Sequence, residues 1–463
     1  MANPIQVKLK AHTNQDALDL ITLAAKECYQ QKPAWYGQKI NEQELFAAGH
    51  HTPFQHFYLT WQVENIGISD INFGLHLTHP FYVSDQRSGS YCAKMFNDPD
   101  YDLMADYINY FWSDLDTGWH KKIQTYLNYC FSVYQTNYKK AEQVTKKLLK
   151  KERPYADDKY LKEKSPKITQ EQLRMFIPSI FPTGIIYSLN LISLASLYES
   201  AWNPVLRHVT QQMADQVIAK FPALSYLFSQ ERRRKDDWSP AFENEKSGQV
   251  IAEVTAQFEF EPDLKHLEVN QNGFTLPEYR DLYPLDKLHY KPELMDNSLE
   301  DIKAQVQGPL VTMGQDQRHR TLKRSQPIFT GNFYLPPIAK ILKLEKEAKM
   351  ILEMWQNLGK NIPATLKSVI APLGAMVRYK KKGSLNAIAH EHSGRLCWFH
   401  QREIYELSRQ LRSAIKQKLG KNSVVDLFEP PCYRSGKCTR GHNYCGRDLL
   451  NRKEENYFDK RNV

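Results

Sequence analysis

Gln315-Asp-Gln-Arg318-His319-Arg320-Thr321-Leu-Lys-Arg324-Ser325-Gln326-Pro327 sets an arginine on either side of a histidine. It follows a run that reads as a helix, Leu299 to Met313, and precedes the Pro- and Gly-punctuated run from Ile328 to Pro337. Guanidinium is a rigid planar fork that meets phosphate oxygens two at a time, so Arg-x-Arg at a helix end reads as an anion grip. A solvated basic turn is the alternative that the stretch alone leaves open.

The 463 residues exceed the usual size of a single core, which predicts two domains, each burying its own. Lys and Arg number 62 against 52 Asp and Glu, a net charge of +10 with a pI near 9.0, which favours anionic ligands or nucleic acid without choosing between them. Much of the excess lies in Lys139 to Lys164, where it alternates with Glu and Asp and reads as a solvated helix. Seven cysteines, four of them (Cys28, Cys92, Cys130, Cys397) scattered singly, and no basic-then-apolar N-terminus predict a reduced cytoplasm. Met175 to Tyr198 carries no charge and approaches the ~20 apolar residues that span a bilayer. Two prolines, Asn190 and several serines interrupt it, so it reads as a buried helix or an oligomer interface, and no membrane partner is expected.

Ile5, Val7 and Leu9 alternate with polar residues as a strand does, and Asn14 or Asp16 opens the amphipathic helix Ala17 to Tyr29. Asn41 to His50 reads as a short helix, and Phe57, Leu59, Trp61 and Val63 as a half-buried strand. Ser69 caps Asp70 to Thr78, which Pro80 ends. Asp102 to Lys150 is helical, and Gln170 to Phe221 predicts two more long helices. The boundaries expected are a first unit at 1–228, a linker at 229–249, a second unit at 250–425 and a Cys/His-containing tail at 426–463. In the second unit Val250 to Phe260 reads as a strand, with helices at Leu299 to Met313, Ile338 to Leu358, Thr365 to Tyr379 and Leu396 to Leu419. The fold class expected is α+β, helix-rich, with a mixed sheet in each of two tandem repeats.

The repeat rests on particular residues. Thr78-His79-Pro80 through Asp85-Gln86-Arg87-Ser88 to Tyr91 also follows a short helix, and aligning His79 with His319 sets Asp85-Gln86 against Ser325-Gln326. Arg174-Met-Phe-Ile-Pro178 is answered by Ser368-Val-Ile-Ala-Pro372, and Asn190 and Ser384 each lie 12 residues beyond their proline.

These residues resemble the flavin-dependent thymidylate synthases, whose signature is Arg-His-Arg-x-x-Ser-x-Asn-Glu-x-Ser-x-Arg with a Gln three residues ahead. Gln315, Arg318, His319 and Arg320 match its beginning, and Arg395, Gln401, Glu403 and Ile404 match the late Arg and its helix. In the first half His79, Ser88, Tyr91, Arg174, Pro178, Asn190, Ser193 and Leu194 match, and His51-Thr-Pro-Phe-Gln-His56 is similar to the family's His-rich entry. Thr78 and Pro80 replace both arginines of the first copy, and Gln86 and Gln326 replace the signature glutamate. Neither copy is complete, but together they supply one set.

The resemblance implies an enzyme making dTMP from dUMP, or acting on a related pyrimidine nucleotide, with FAD as cofactor and methylene-tetrahydrofolate and NADPH as co-substrates. The flavin carries the chemistry, so no catalytic side chain is named. It implies Arg318, His319, Arg320, His56, His79 and Asn190 around the flavin, Gln315, Ser88, Arg174 and Arg395 on the nucleotide, a composite site between repeats, and a homodimer of two-repeat chains. A degenerate nucleotide-binding or scaffolding homologue is the alternative. A nucleic-acid binder ranks last, because no basic stripe is interleaved with aromatics. In the tail, Cys432, Cys438, His442 and Cys445 fall within 14 residues and offer a zinc set, although the tight Cys-x2-Cys pair of common sites is missing and a plain reduced loop, a redox pair or a cluster stays open.

Overall fold

A computed structural model describes residues 3–78, 80–243, 248–259, 301–419, 424–438, 440–445 and 458–463, with 292 and 295. Period-two burial builds its first sheet. In Tyr58–Gly67 (β2) Leu59, Trp61 and Val63 are buried while the residues between them are not. β2 pairs with Gln6–His12 (β1) and Pro182–Asn190 (β4), and β4 with Tyr82–Gln86 (β3), giving the order β1-β2-β4-β3 with every pairing antiparallel.

The second sheet takes Thr255–Glu259 (β7), Asp301–Pro309 (β8), Ala375–Ser384 (β11) and Ile328–Tyr334 (β10) in the order β7-β8-β11-β10. That is the order of the first sheet again. Ala241–Phe242 (β5) and Val250–Ile251 (β6) add to β10 in parallel, which makes this sheet mixed, and Lys323–Arg324 (β9) pairs with β11.

The first sheet is joined to Ala17–Tyr29 (α1), Tyr101–Phe111 (α2), the 36-residue Thr117–Glu152 (α3), Asp158–Leu173 (α4), Leu191–Ser200 (α5) and Pro204–Lys220 (α6). The second is joined to Leu310–Asp316 (α7), Glu345–Leu358 (α8), Ala364–Val369 (α9), Leu385–Arg395 (α10) and Arg402–Leu419 (α11). The central strand of each sheet ends in a capping side chain. Asn190 Oδ1 accepts the Ser193 N–H at 2.8 Å to open α5, and Ser384 Oγ accepts the Ala387 N–H at 3.3 Å to open α10.

The halves are joined by backbone. Pro178 and Pro372 form an isolated antiparallel bridge, flanked by Ser179 N–H to Ala371 O at 2.7 Å and Leu373 N–H to Ile177 O at 2.8 Å. Gly374 sits against Met175, where a Cβ would come within 2.8 Å of the Met175 carbonyl. Phe176 stacks on Phe333, and one apolar core runs through both halves, while a second cluster around Leu322, Leu385 and Phe428 belongs to the second half alone. The expectation of a separate core for each half is corrected, since only the second half has a core of its own.

Several helices expected from the sequence are strands. Asp301–Pro309 is β8, with Ile302, Ala304 and Val306 turned inward, and the helix begins only at Leu310. Thr365 to Tyr379 is a short helix followed by β11, and the uncharged run from Met175 to Tyr198 is β4 followed by α5. β4 lacks charge because it is flanked on both edges by strands and packs one face on the core. α11 starts at Arg402 rather than Leu396, after a turn. Segment 229–243 crosses to the second sheet, held by Arg234 N–H to Glu199 O and Trp238 N–H to Trp202 O. No helix among the described residues is long and apolar enough to cross a membrane.

Candidate functional site

The loop after β3 is held open by one glutamine. Gln170 on α4 donates through Nε2 to the Gly89 carbonyl at 2.6 Å and the Cys92 carbonyl at 2.8 Å, and accepts the Met95 N–H at 2.9 Å. Gly89 lets Arg174 approach closely, since a Cβ would stand 2.8 Å from Arg174 Nη1. Arg174, one residue past α4, donates to Ser90 Oγ at 3.2 Å and to Gln401 Oε1. The second half answers with Arg395 at the end of α10, whose Nη2 donates to the Gln315 carbonyl at 2.5 Å. Gln401 also accepts from the Gln315 side chain, and its Nε2 donates to Glu403 at 2.7 Å, so one amide ties three elements together.

These residues wall a cavity of about 450 Å³ lined by both halves. Eight arginines and lysines line it against only Asp85 and Glu171. Arg153, Lys164, Arg174, Arg395 and Arg402 among them are buried. Buried Nε groups of Arg153, Arg174 and Arg395 and the His400 Nδ1 have no hydrogen-bond partner. Unpartnered buried donors around a cationic space suit an anion that accepts several hydrogen bonds. Burial pushes the Glu171 carboxyl up, with Arg174 opposing, and burial with nearby arginines holds His400 well below its usual range. Tyr91 stacks on Phe399 at 6.0 Å across the cavity mouth, a flat apolar surface of the kind a nucleobase uses.

Gln315, Ser88, Arg174, Arg395 and Arg318 all line this cavity. His319 and Arg320 do not. The His319 ring packs edge-on to His390 at 5.9 Å, and burial holds its pKa well below the usual value. Arg320 lies 5.1 Å over the Tyr82 ring. Asn190 is occupied as the α5 cap, and His56 is exposed at the end of a short 3-10 helix ahead of β2, away from the cavity. His79 lies outside the described residues. Arg395 and Glu403 sit on different helices, so they are not neighbours on one surface.

Sequence reading missed what lies beneath the Arg-His-Arg stretch. Asp316 accepts from Arg324 Nε at 2.8 Å, Tyr379 Oη at 3.0 Å and Lys381 Nζ at 3.2 Å, and Lys381 also reaches Glu391 at 2.8 Å. Burial alone would raise the Asp316 carboxyl, but Arg324 and Lys381 beside it outweigh that and hold it well below the usual range. Its partners come from two segments, Arg324 on β9 and Tyr379 with Lys381 on β11, which no local pattern in the sequence links to Asp316. Lys164 was read as solvated, but it is buried at the cavity with Nζ on Asn443 Oδ1 at 2.5 Å. Among the described residues no three His, Cys, Asp or Glu side chains are placed to hold one metal ion, so the Cys432, Cys438, His442 and Cys445 zinc set does not assemble. His442 is exposed and stands apart.

Residues 8–223 match the family described as thymidylate synthase complementing protein. No curated protein sequence matches. Among solved structures, thymidylate synthase X from Helicobacter pylori with FAD and dUMP is 14% identical, with a TM-score of 0.33 over 50% of this chain and 100% of that one. The UMP/dUMP methylase PolB from Streptomyces cacaoi bound with 5-Br dUMP is 14% identical, with a TM-score of 0.31 over 48% of this chain and 94% of that one.

Proposed function

We propose, from the match of residues 8–223 to the thymidylate synthase complementing protein family, that this chain is a flavin-dependent nucleotide methyltransferase with one site shared between its halves. The substrate is a uridine nucleotide, dUMP or a related pyrimidine nucleotide. Methylene-tetrahydrofolate supplies the carbon and NADPH the electrons. The single observation that carries this reading is that Arg174 and Arg395, from different halves, wall the same cationic cavity and each keeps a buried Nε–H without an acceptor. A nucleotide phosphate supplies those acceptors, and Tyr91 with Phe399 offers the base a surface.

FAD, when bound, supplies the hydride chemistry. Arg318 is the residue of the Arg-His-Arg stretch that reaches the cavity, and Arg320, His319, His56, His79 and Asn190 are assigned to the flavin. The two halves are read as a fused, diverged duplication, with the recurring strand order in support, and the working assembly as a cytoplasmic dimer of such chains. The test is the visible spectrum of the purified protein, followed by dUMP-stimulated NADPH oxidation and tritium release from the uracil ring. A protein that cannot be loaded with FAD sinks the reading.

One observation favours a second reading, a nucleotide-binding homologue without turnover. Gln326 stands where the signature glutamate belongs, and its side chain is exposed away from the cavity. Tight nucleotide and flavin binding without tritium release would select it.

A further inference from the structure

Helix α4 lays a row of charges along the nucleotide cavity. Lys164, Lys167, Glu171 and Arg174 fall at spacings of three, four and three residues, so they share one face, and all four line the cavity. The nucleotide phosphate is assigned to the Arg174 end. Lys164 stands ten residues earlier, which places it about 15 Å away along the helix axis.

The Lys164 end gathers cations that a nucleotide held at Arg174 does not reach. Arg153, just past α3, is buried and gives Nη1 to the Tyr160 hydroxyl at 2.5 Å and Nη2 to the Trp398 and Val463 carbonyls, each at 3.2 Å. Its Nε is buried without an acceptor. Lys164 is buried too, with Nζ on the Asn443 side-chain oxygen, and Lys167 beside it is partly buried. The acceptors are hydroxyl, amide and main-chain oxygens, and none belongs to a carboxylate side chain. Burial, with Lys167 adding to it, pulls the Lys164 ammonium below its usual pKa. A bound anion reverses that pull and supplies the acceptor that Arg153 lacks.

Spacing and charge decide what that anion belongs to. Successive phosphates of one nucleotide share an oxygen, so a phosphate chain reaching from Arg174 to Lys164 would have to pass Glu171, whose carboxylate repels it. The second anion therefore sits on a separate molecule bound beside the nucleotide. Phe399 leads from one end to the other, with Tyr91 stacked on it at 6.0 Å and Lys164 Nζ 5.1 Å over its ring. In the methyltransferase reading, on which this inference rests, the molecule that must lie against the base is the carbon donor, a flat reduced pterin whose glutamate carries carboxylates at the far end. We propose that Arg153, Lys164 and Lys167 form a second anion subsite that holds the carboxylate tail of a reduced folate alongside the nucleotide.

The experiment is calorimetric titration of the full chain, with FAD present, by tetrahydrofolate and by tetrahydropteroate, which keeps the ring system and lacks the glutamate, each with and without dUMP. Tetrahydrofolate is expected to bind about ten-fold more tightly, the worth of one charge-assisted contact. In Lys164→Gln and in Lys167→Gln that advantage is expected to vanish, while the affinities for tetrahydropteroate and dUMP stay at their wild-type values. Equal binding of the two compounds by the wild type, no binding of tetrahydrofolate, or an advantage that survives both substitutions overturns the proposal. A titration with dUDP tests the other source of an anion. If dUDP binds about ten-fold more tightly than dUMP and Lys167→Gln abolishes the gain, the cluster serves a second phosphate and the folate assignment falls. Wild-type binding decides the matter even if Lys164→Gln does not fold. Failure of dUMP to bind, with the tetrahydrofolate advantage intact, would count against the shared nucleotide site and not against this subsite.

Discussion

Arg318 in the second half of the chain donates through Nη1 to the Ser84 hydroxyl in the first half at 3.1 Å. Asp85, the neighbour of Ser84, stands 3.7 Å from its Nη2. The arginine is thus aimed across the joint and into the cavity by residues of the other half. Arg318→Ala is expected to weaken nucleotide or flavin binding about ten-fold while leaving the melting temperature nearly unchanged, because this partly exposed pair adds little stability. Calorimetric titration alongside thermal melting checks both parts.

Arg174→Ala and Arg395→Ala should each raise the Kd for dUMP by about one to two decades, the cost of one charge-assisted contact of roughly 1.5 to 3 kcal/mol. The two residues come from different halves, so both effects are needed. An unchanged dUMP affinity in folded Arg174→Ala rules out the shared site.

Gly89→Ala should act on Arg174 without touching its charge. The added methyl group would stand 2.8 Å from Nη1, and the guanidinium must shift away from Ser90 and Gln401. KM for the nucleotide is expected to rise about ten-fold with circular dichroism unchanged. Wild-type KM in this variant would mean that Arg174 does not position the substrate.

Asp70 supplies a pH-dependent prediction. Burial raises its pKa to about 7, with the Tyr107 hydroxyl, at 2.7 Å, only partly offsetting this. From about pH 4 to about pH 7 the folded protein keeps a proton that the unfolded chain has lost, so this residue's contribution falls as pH rises, by on the order of 4 kcal/mol in all. Asp70→Asn keeps the acceptor for Tyr107 and removes the titration. Urea unfolding across that range should show the variant gaining on the wild type as pH rises, and parallel curves would refute the assignment.

The buried Asp316, Lys381 and Glu391 cluster should be intolerant of losing its cation. Lys381→Met leaves the buried Glu391 without its cation and Asp316 with only Arg324, and is expected to cost about 3 to 5 kcal/mol at neutral pH. The loss should shrink in acid, where a carboxyl whose pKa burial has raised, as in Glu391, takes up a proton. Equilibrium unfolding at two pH values measures both.

Helix α1 and strands β1 and β2 were legible because their apolar residues follow one clean period. β8 was not. Its inward residues Ile302, Ala304 and Val306 alternate with lysine and glutamine, and this short period of two competes with the helix preference of its Ala, Lys and Gln until neighbouring strands claim it. β7 and β11 do so here. At the cavity, Ser88, Arg174, Gln315 and Arg395 could be named only through the family resemblance of their motifs. The Tyr91–Phe399 stack and the buried Lys164 could not, since each depends on segments far apart in the chain.

Proline has no N–H, so the Pro178–Pro372 bridge is held by the residues on either side of it, where the two halves exchange backbone hydrogen bonds at the centre of a common core. A joint of this kind inside one chain fixes stoichiometry. At this joint each half meets the unlike half, in a one-to-one ratio and in one orientation. A charged side chain lost from one half is therefore tolerated wherever the other half supplies that charge. Cutting the chain within 229–249 should leave pieces that are soluble together and insoluble apart.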